Sequence, residues 1–107
     1  MIAGDDTLAG YVSVHGRPPA FEGSDGRAYS AGIFSEDDPG PDGTFGAALL
    51  FIRWSPTNEP DGHLESDYLA RAADPAAAET AVGRMTLQEV KAALDRLIAQ
   101  RIGRSFA

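Results

Sequence analysis

The stretch Gly46-Ala-Ala-Leu-Leu-Phe-Ile-Arg-Trp54 is the longest apolar run in the chain, and it decides the fold. Its only charged residue is Arg53. A run this short, with aromatic and β-branched members, indicates a buried strand rather than a helix. Apolar residues stand at both odd and even positions, so we predict a central strand that needs cover on both faces of its sheet.

Segments on either side of this run predict the remaining strands. We predict a first strand over Leu8 to Val14, a second over Arg27 to Phe34, and a fourth over His63 to Ala70. The segment His15-Gly-Arg-Pro-Pro19 ends the first strand, because its two prolines lack backbone donors. The loops between the strands are short, which favours antiparallel pairing of consecutive strands.

Two helices are predicted in the last third of the chain. Asp74 followed by Pro75 is a typical helix start, and Gly83 is placed to end that helix. Thr86-Leu-Gln-Glu89 has the pattern of a capping box and begins a second helix, which we expect to run to about Arg101. Apolar residues recur along this helix at helical spacing, so it should cover one sheet face: Leu87, Val90, Leu94, Leu97 and Ile98.

These elements predict an α+β protein. The expected architecture is an antiparallel sheet of about four strands in meander order, with two C-terminal helices packed on one face. A chain of 107 residues is expected to form a single domain over residues 1–107. It contains no cysteine, which excludes disulfides and zinc–thiolate sites.

Charge and hydropathy restrict the class of partner. The formal net charge of −7 disfavours nucleic acid and anionic membrane surfaces, and it favours a basic protein partner or a cation. No apolar run is long enough to span a membrane, and the acidic segment Met1–Thr7 does not resemble a signal peptide. We therefore expect a cytoplasmic protein. The acidic loop over residues 35–44 lacks the spacing of a calcium-binding EF-hand, so we expect it to be solvated.

His63, Glu65 and Asp67 occupy alternate positions, so on a strand they all project from the same face. An imidazole and two carboxylates on one face suit a divalent metal site or an acid–base pair. The simpler interpretation is a solvated face with a cross-strand charge pair. Alternate residues lie about 6.5–7 Å apart on a flat strand, and Arg53 would repel a cation. We expect no cofactor and no tight metal binding, and we expect Glu65 or Asp67 to pair with Arg53.

We assume a regular hairpin between the central and fourth strands, in which Trp54 pairs with Gly62. This register determines which of their residues share a face of the sheet. Arg53 then lies opposite His63, and the long helix is expected on the face of the even-numbered residues from 50 to 54. Because exposed apolar patches are uncommon on monomers, we expect a second subunit or a terminal segment to bury the other face. That uncovered face is predicted to carry two apolar and four polar residues: Leu49, Phe51, Arg53, His63, Glu65 and Asp67.

His15 and Arg17 form a second candidate binding site. With Glu22 and Asp25 they flank the double-proline segment, and a rigid loop is well suited to present binding residues. The simpler interpretation is that the prolines carry the chain across one end of the sheet.

Three functional classes stay open. A non-enzymatic binding or protein-interaction module comes first, with a homodimer formed through the uncovered sheet face. A small metal-dependent or acid–base enzyme using His63, Glu65 and Asp67 comes second. Nucleic-acid binding through the open sheet comes third, because the net charge opposes it unless four arginines cluster: Arg17, Arg27, Arg53 and Arg71.

Overall fold

The computed structural model describes the backbone of residues 6–105 and the side chains of residues 6–101. Most of the N-terminal segment that we compared with a signal peptide therefore lies outside the described residues. The elements follow one another in this order: α1 (Leu8–His15), β1 (Ala20–Glu22), β2 (Ala28–Ser35), β3 (Phe45–Trp54), β4 (Pro60–Glu65), β5 (Ala70–Ala72), α2 (Pro75–Gly83) and α3 (Leu87–Ser105).

The five strands form one antiparallel sheet in the order β1-β2-β3-β4, with β5 also paired to β3. The central strand is β3, as the long apolar run predicts. On one side it pairs with β2 along most of its length. On the other side its C-terminal half pairs with β4, and its first residues pair with β5. The predicted α+β class and meander order are confirmed.

The helices pack on one face of this sheet, and the core lies between the two layers. The odd-numbered residues of β3 point into that core, where Ala47, Leu49 and Phe51 are each 0% exposed. The prediction placed the long helix on the opposite, even-numbered face and left Leu49 and Phe51 for a second subunit or a terminal segment to bury. That assignment is wrong, because the chain's own helices supply the cover: Leu8, Ala78, Val82, Val90, Leu94 and Ile98.

The predicted first strand is a helix. The Thr7 hydroxyl accepts the Gly10 amide at 3.0 Å and so caps the start of α1. Gly16 ends α1 in the left-handed conformation, with φ of 68°. Leu8 is buried, and the rings of Tyr11 and His15, four residues apart, lie 4.2 Å from each other. A short apolar run fits both the two-residue repeat of a strand and the 3.6-residue repeat of a helix, and here the two caps favour the helix.

The predicted fourth strand is broken into β4 and β5. The Ser66 hydroxyl accepts the Leu49 amide at 2.9 Å and donates to the Asp67 carbonyl at 2.7 Å. These side-chain bonds replace a regular ladder over residues 66–69. The Tyr68 ring packs over Gly46, where an added Cβ would lie 2.7 Å from a ring carbon.

The register of the β3–β4 hairpin differs from the prediction by one residue. Arg53 pairs with Gly62 rather than His63, and Ile52 pairs with His63. The cause is an irregularity between Arg53 and Trp54, which brings Trp54 opposite Pro60. Because side chains alternate, this shift moves Arg53 to the face opposite His63.

The predicted helix starts are confirmed. Asp74 accepts the Ala77 amide at 2.8 Å at the start of α2. Thr86 and Glu89 exchange two hydrogen bonds, of 3.1 and 2.8 Å, which complete the capping box before α3. The helix α3 continues to Ser105, beyond the predicted end near Arg101.

Candidate functional site

The sheet face away from the helices is the most extensive candidate site. The even-numbered residues of β3 run along its centre, and β2 flanks them. Leu50, Ile52 and Trp54 are half-buried by neighbouring side chains, and Phe34 is 39% exposed. No described helix packs against these residues. We call this surface, centred on Phe34, Leu50, Ile52 and Trp54, the open face.

The centre of the open face is ordered by contacts within the sheet. The Trp54 indole N–H donates to the Ser30 hydroxyl at 3.0 Å, which fixes the orientation of the ring. Gly32 pairs with Leu50 and leaves a depression beside it, because the nearest atom to an added Cβ would be 3.9 Å away. The face therefore presents apolar side chains next to a gap that another side chain could fill.

One end of the open face carries Tyr68 and Arg71. The Arg71 guanidinium carbon lies 5.3 Å from the Tyr68 ring centroid, within range of a cation–π interaction. Arg71 also donates to the Thr44 hydroxyl at 2.9 Å. Tyr68 is 44% exposed, although its ring packs on Gly46. This end adds an aromatic surface and a positive charge.

Among the described residues, the charged side chains around the open face lie at its end, where Arg71 stands, and along its two edges. None of the residues that β2 and β3 direct to this face is charged. His63 lies beside Ile52 and Glu65 beside Leu50, both on the outer strand β4. Glu22 lies on β1, at the other edge.

The three residues predicted to share a strand face are only partly together. His63 and Glu65 project from the open face of β4, whereas Asp67 lies in the irregular segment after the strand. Within the side chains that the structure describes, no three His, Asp or Glu residues are grouped so that they could hold a metal ion. The expectation of no tight metal binding stays a prediction.

Arg53 does not belong to the open face. Its Nε donates to Asp61 Oδ1 at 2.8 Å, and Arg27 contacts the second carboxylate oxygen at 2.5 Å. The predicted pairing with Glu65 or Asp67 is therefore wrong, because the shifted register brings Asp61 to Arg53 instead. The hydrogen bond from Arg53 and the further bond from Arg27 hold the pKa of Asp61 below its usual range.

His15 and Arg17 are not near the open face either. His15 is the last residue of α1, in the helix layer, and Arg17 follows it in the loop before β1. Asp25, one of the two acids grouped with them, instead accepts hydrogen bonds from the Tyr29 hydroxyl at 2.7 Å and the Arg27 amide at 3.0 Å. Burial and this hydrogen bond raise the pKa of Tyr29. The structure gives Asp25 a structural role in the β1–β2 turn.

A groove of about 590 Å³ runs between β4 and α3. The sequence offered no signal for it, because it depends on where the helix lies relative to the outer strand. The residues that line the groove include three of the predicted site residues and two arginines of the helix: His63, Glu65, Asp67, Arg96 and Arg101.

The alternating residues of β2 contain the signal that identifies the open face. Tyr29, Ala31 and Ile33 are apolar, whereas the intervening positions include Ser30 and Gly32. The apolar set lies next to Leu49 and Phe51 in the sheet and shares their buried face. This difference favours the odd-numbered face of β3 for the helices once the pairing of β2 with β3 is known.

Comparison with protein-family models, with curated proteins and with solved structures found no match to this chain. Among the described helices, none has the length and apolar character needed to cross a membrane.

Proposed function

We propose that this protein is a non-enzymatic interaction module that forms a symmetric homodimer through the open face. The supporting observation is the strip of Leu50, Ile52 and Trp54, which runs along the central strand and is not covered by any of the described helices. Protein interfaces are depleted of charge at their centre and enriched in aromatic residues, and the open face has both properties.

A second copy is a suitable occupant because the face is self-complementary in shape and charge. Two sheets stack with their strands nearly aligned, and their side chains interdigitate. Leu50 is level with Gly32 in the sheet, so under a two-fold axis parallel to the strands Leu50 of one copy can fill the depression beside Gly32 of the other. The apolar centre then becomes buried on both copies at once.

The charged edges also fit a symmetric pair. A two-fold axis parallel to the strands lays the β1 edge of one copy against the β4 edge of the other. Glu22 is level with Trp54 in the sheet, and His63 is level with Ile52. Glu22 of one copy therefore comes closer to His63 of the other than to Glu65, and the contact occurs twice by symmetry.

The other two functional classes have less support. Asp61 engages both Arg27 and Arg53, so two of the four arginines considered for a nucleic-acid patch are already paired with an acid. His63, Glu65 and Asp67 lie along an edge rather than around a common centre. Neither observation favours a catalytic or nucleic-acid role over an interaction surface.

Light scattering and sedimentation equilibrium test the proposal. We expect the mass to approach twice the 11.3 kDa of the chain as the protein concentration rises. Ile52→Lys should raise the dissociation constant by at least about tenfold, because it places a charge at the centre of the buried surface. Phe34→Lys is a second variant at a more exposed position, where the fold tolerates the change more readily.

Val14→Lys is the matched control. Val14 is an exposed apolar residue of α1, 59% accessible and outside the open face, so this variant should dimerise like the wild type. Thermal melts confirm that each variant is folded. A monomer mass at all concentrations of the wild type would reject the proposal.

A further inference from the structure

Within residues 6–105, no strand pairs with the free side of the outer strand β4. The Ser66 amide donates to the Leu49 carbonyl at 3.0 Å, in continuation of the β3–β4 register. Residues of an antiparallel strand alternate between bonding to the partner and pointing away from it. Gly62 and Leu64 therefore bond toward β3, and the N–H and C=O groups of His63 and Glu65 point outward.

These outward groups face the groove beside α3. The strand edge forms one wall, and the C-terminal half of α3 forms the other. Ala93, Leu97 and Leu64 give the groove an apolar component, and Arg96 adds an exposed positive charge on the helix side. A strand edge facing a helix across a groove has the features of sites that bind peptides by strand addition.

We propose that this groove binds an extended peptide segment, which joins the sheet as an additional strand next to β4. The outward groups of His63 and Glu65 are separated by two residues, about 6.5–7 Å, which is the repeat of an extended chain. Such a peptide forms main-chain hydrogen bonds to both residues. This interaction uses different groups from the proposed dimer, because the peptide binds backbone N–H and C=O groups of β4, whereas the dimer uses side chains of the open face.

Side-chain alternation defines the class of peptide. Every second side chain of the added strand points to the helix layer, where it meets Leu64, Leu97 and Arg96. Apolar and acidic residues suit these positions. The intervening side chains point to the open side beside Glu65, where basic residues form favourable cross-strand pairs.

A second copy of the chain fits this groove less well than a peptide. A two-fold axis perpendicular to the sheet keeps both helix layers on the same side, so each copy would bring its own α3 to the shared edge. Pairing centred on Leu64 would also set Asp61 of one copy opposite Asp67 of the other. An isolated extended segment has neither problem.

A phage-displayed library of random heptapeptides is the probe. We expect it to enrich sequences in which basic residues alternate with apolar or acidic ones. A synthetic peptide of the enriched sequence, labelled for fluorescence anisotropy, should bind the wild type. Two further peptides carry methyl groups on every second backbone nitrogen, one on the odd and one on the even positions. Only one of these two sets of amides faces β4, so one methylated peptide should lose binding and the other should bind like the unmethylated peptide.

Two proline variants test the site on the protein. Glu65→Pro removes an outward N–H and leaves the bonds to β3 in place, so it should weaken peptide binding by at least about tenfold. Ala20→Pro is the matched control, because the backbone N–H of Ala20 also points away from the neighbouring strand, on β1 at the opposite edge of the sheet. Arg96→Glu should remove the preference for acidic residues in a repeated selection.

Several outcomes would overturn the proposal. One is a library that enriches nothing, and another is an enriched peptide that binds folded Glu65→Pro as tightly as the wild type. If Glu65→Pro fails to fold, the methylated peptides decide, and equal binding of both sets would reject strand addition. Self-association that is lost in Glu65→Pro and kept in Phe34→Lys would show that a second copy occupies the groove instead.

Discussion

Asp61 joins residues from three parts of the sheet. Its carboxylate accepts bonds from Arg53 on β3 and Arg27 before β2, and its carbonyl accepts Arg53 Nη2 at 2.8 Å. The three residues are partly exposed, so each ion pair alone contributes little. Together they hold the end of β4 against the end of β3, next to the irregular pairing of Trp54.

We predict that Asp61→Asn lowers the free energy of unfolding at neutral pH. The free energy of unfolding of the variant should also depend less on pH in the acidic range. The pKa of Asp61 is lowered in the folded state, so its contribution is present above the ordinary carboxyl pKa of about 3.9. It is lost as the pH falls through the lower folded value. The wild-type free energy of unfolding should therefore fall more steeply than that of the variant below about pH 4.

Urea unfolding at a series of pH values measures this difference. Asp37→Asn, in the exposed loop between β2 and β3, is the control and should keep the wild-type slope. Parallel curves for the wild type and Asp61→Asn would show that the carboxylate contributes nothing to folding.

At the scale of the elements, α3 is the clearest case of a helix specified by local sequence. Thr86 and Glu89 form the capping box that the sequence predicts. The apolar side of the helix faces the sheet, where Val90, Leu94 and Ile98 are buried. Local capping and tertiary burial agree in this helix, so its prediction holds.

We predict that Leu94→Ala lowers the free energy of unfolding by about 2–5 kcal/mol. Leu94 is 0% exposed and lies in the middle of the apolar side of the helix, so truncation removes buried methyl groups and leaves a cavity. Denaturant melts measure the loss. Arg96→Ala, on the exposed side of the same helix, should change stability by less than about 0.5 kcal/mol. A similarly small loss for Leu94→Ala would mean that α3 does not pack as described.

The segment over residues 8–14 is the opposite case. Its alternating apolar residues suit a strand, but the caps at Thr7 and Gly16 suit a helix. The structure also attaches this end of the chain to the α2–α3 junction, since Leu8 donates to the Met85 carbonyl and Leu87 to the Asp6 carbonyl. Those contacts are distant in sequence, and a local pattern does not contain them.

At the scale of the molecule, the net charge of −7 opposes self-association. We predict that added salt strengthens the proposed dimer, because two copies with the same net charge repel each other. Screening acts over about 10 Å at 0.1 M salt. Sedimentation equilibrium at low and physiological salt should show a smaller dissociation constant at the higher salt. A dissociation constant that rises with salt would mean that edge contacts such as Glu22 with His63 outweigh the net repulsion.

The sequence alone determined the class of the fold and the elements β2, β3, α2 and α3. The apolar run of β3, the Asp74 cap and the Thr86 capping box are local signals, and each predicts its element because the causes lie within a few residues. Antiparallel meander order followed from short connections between strands.

Only the tertiary structure decided which face of β3 the helices cover and which residues form a site. Apolar residues on both sides of β3 permit either choice, and the one-residue shift at Arg53 and Trp54 separates Arg53 from His63. The groove between β4 and α3 likewise depends on the position of a helix far along the chain. Register and packing are set by contacts between distant segments, so a pattern within one segment does not contain them.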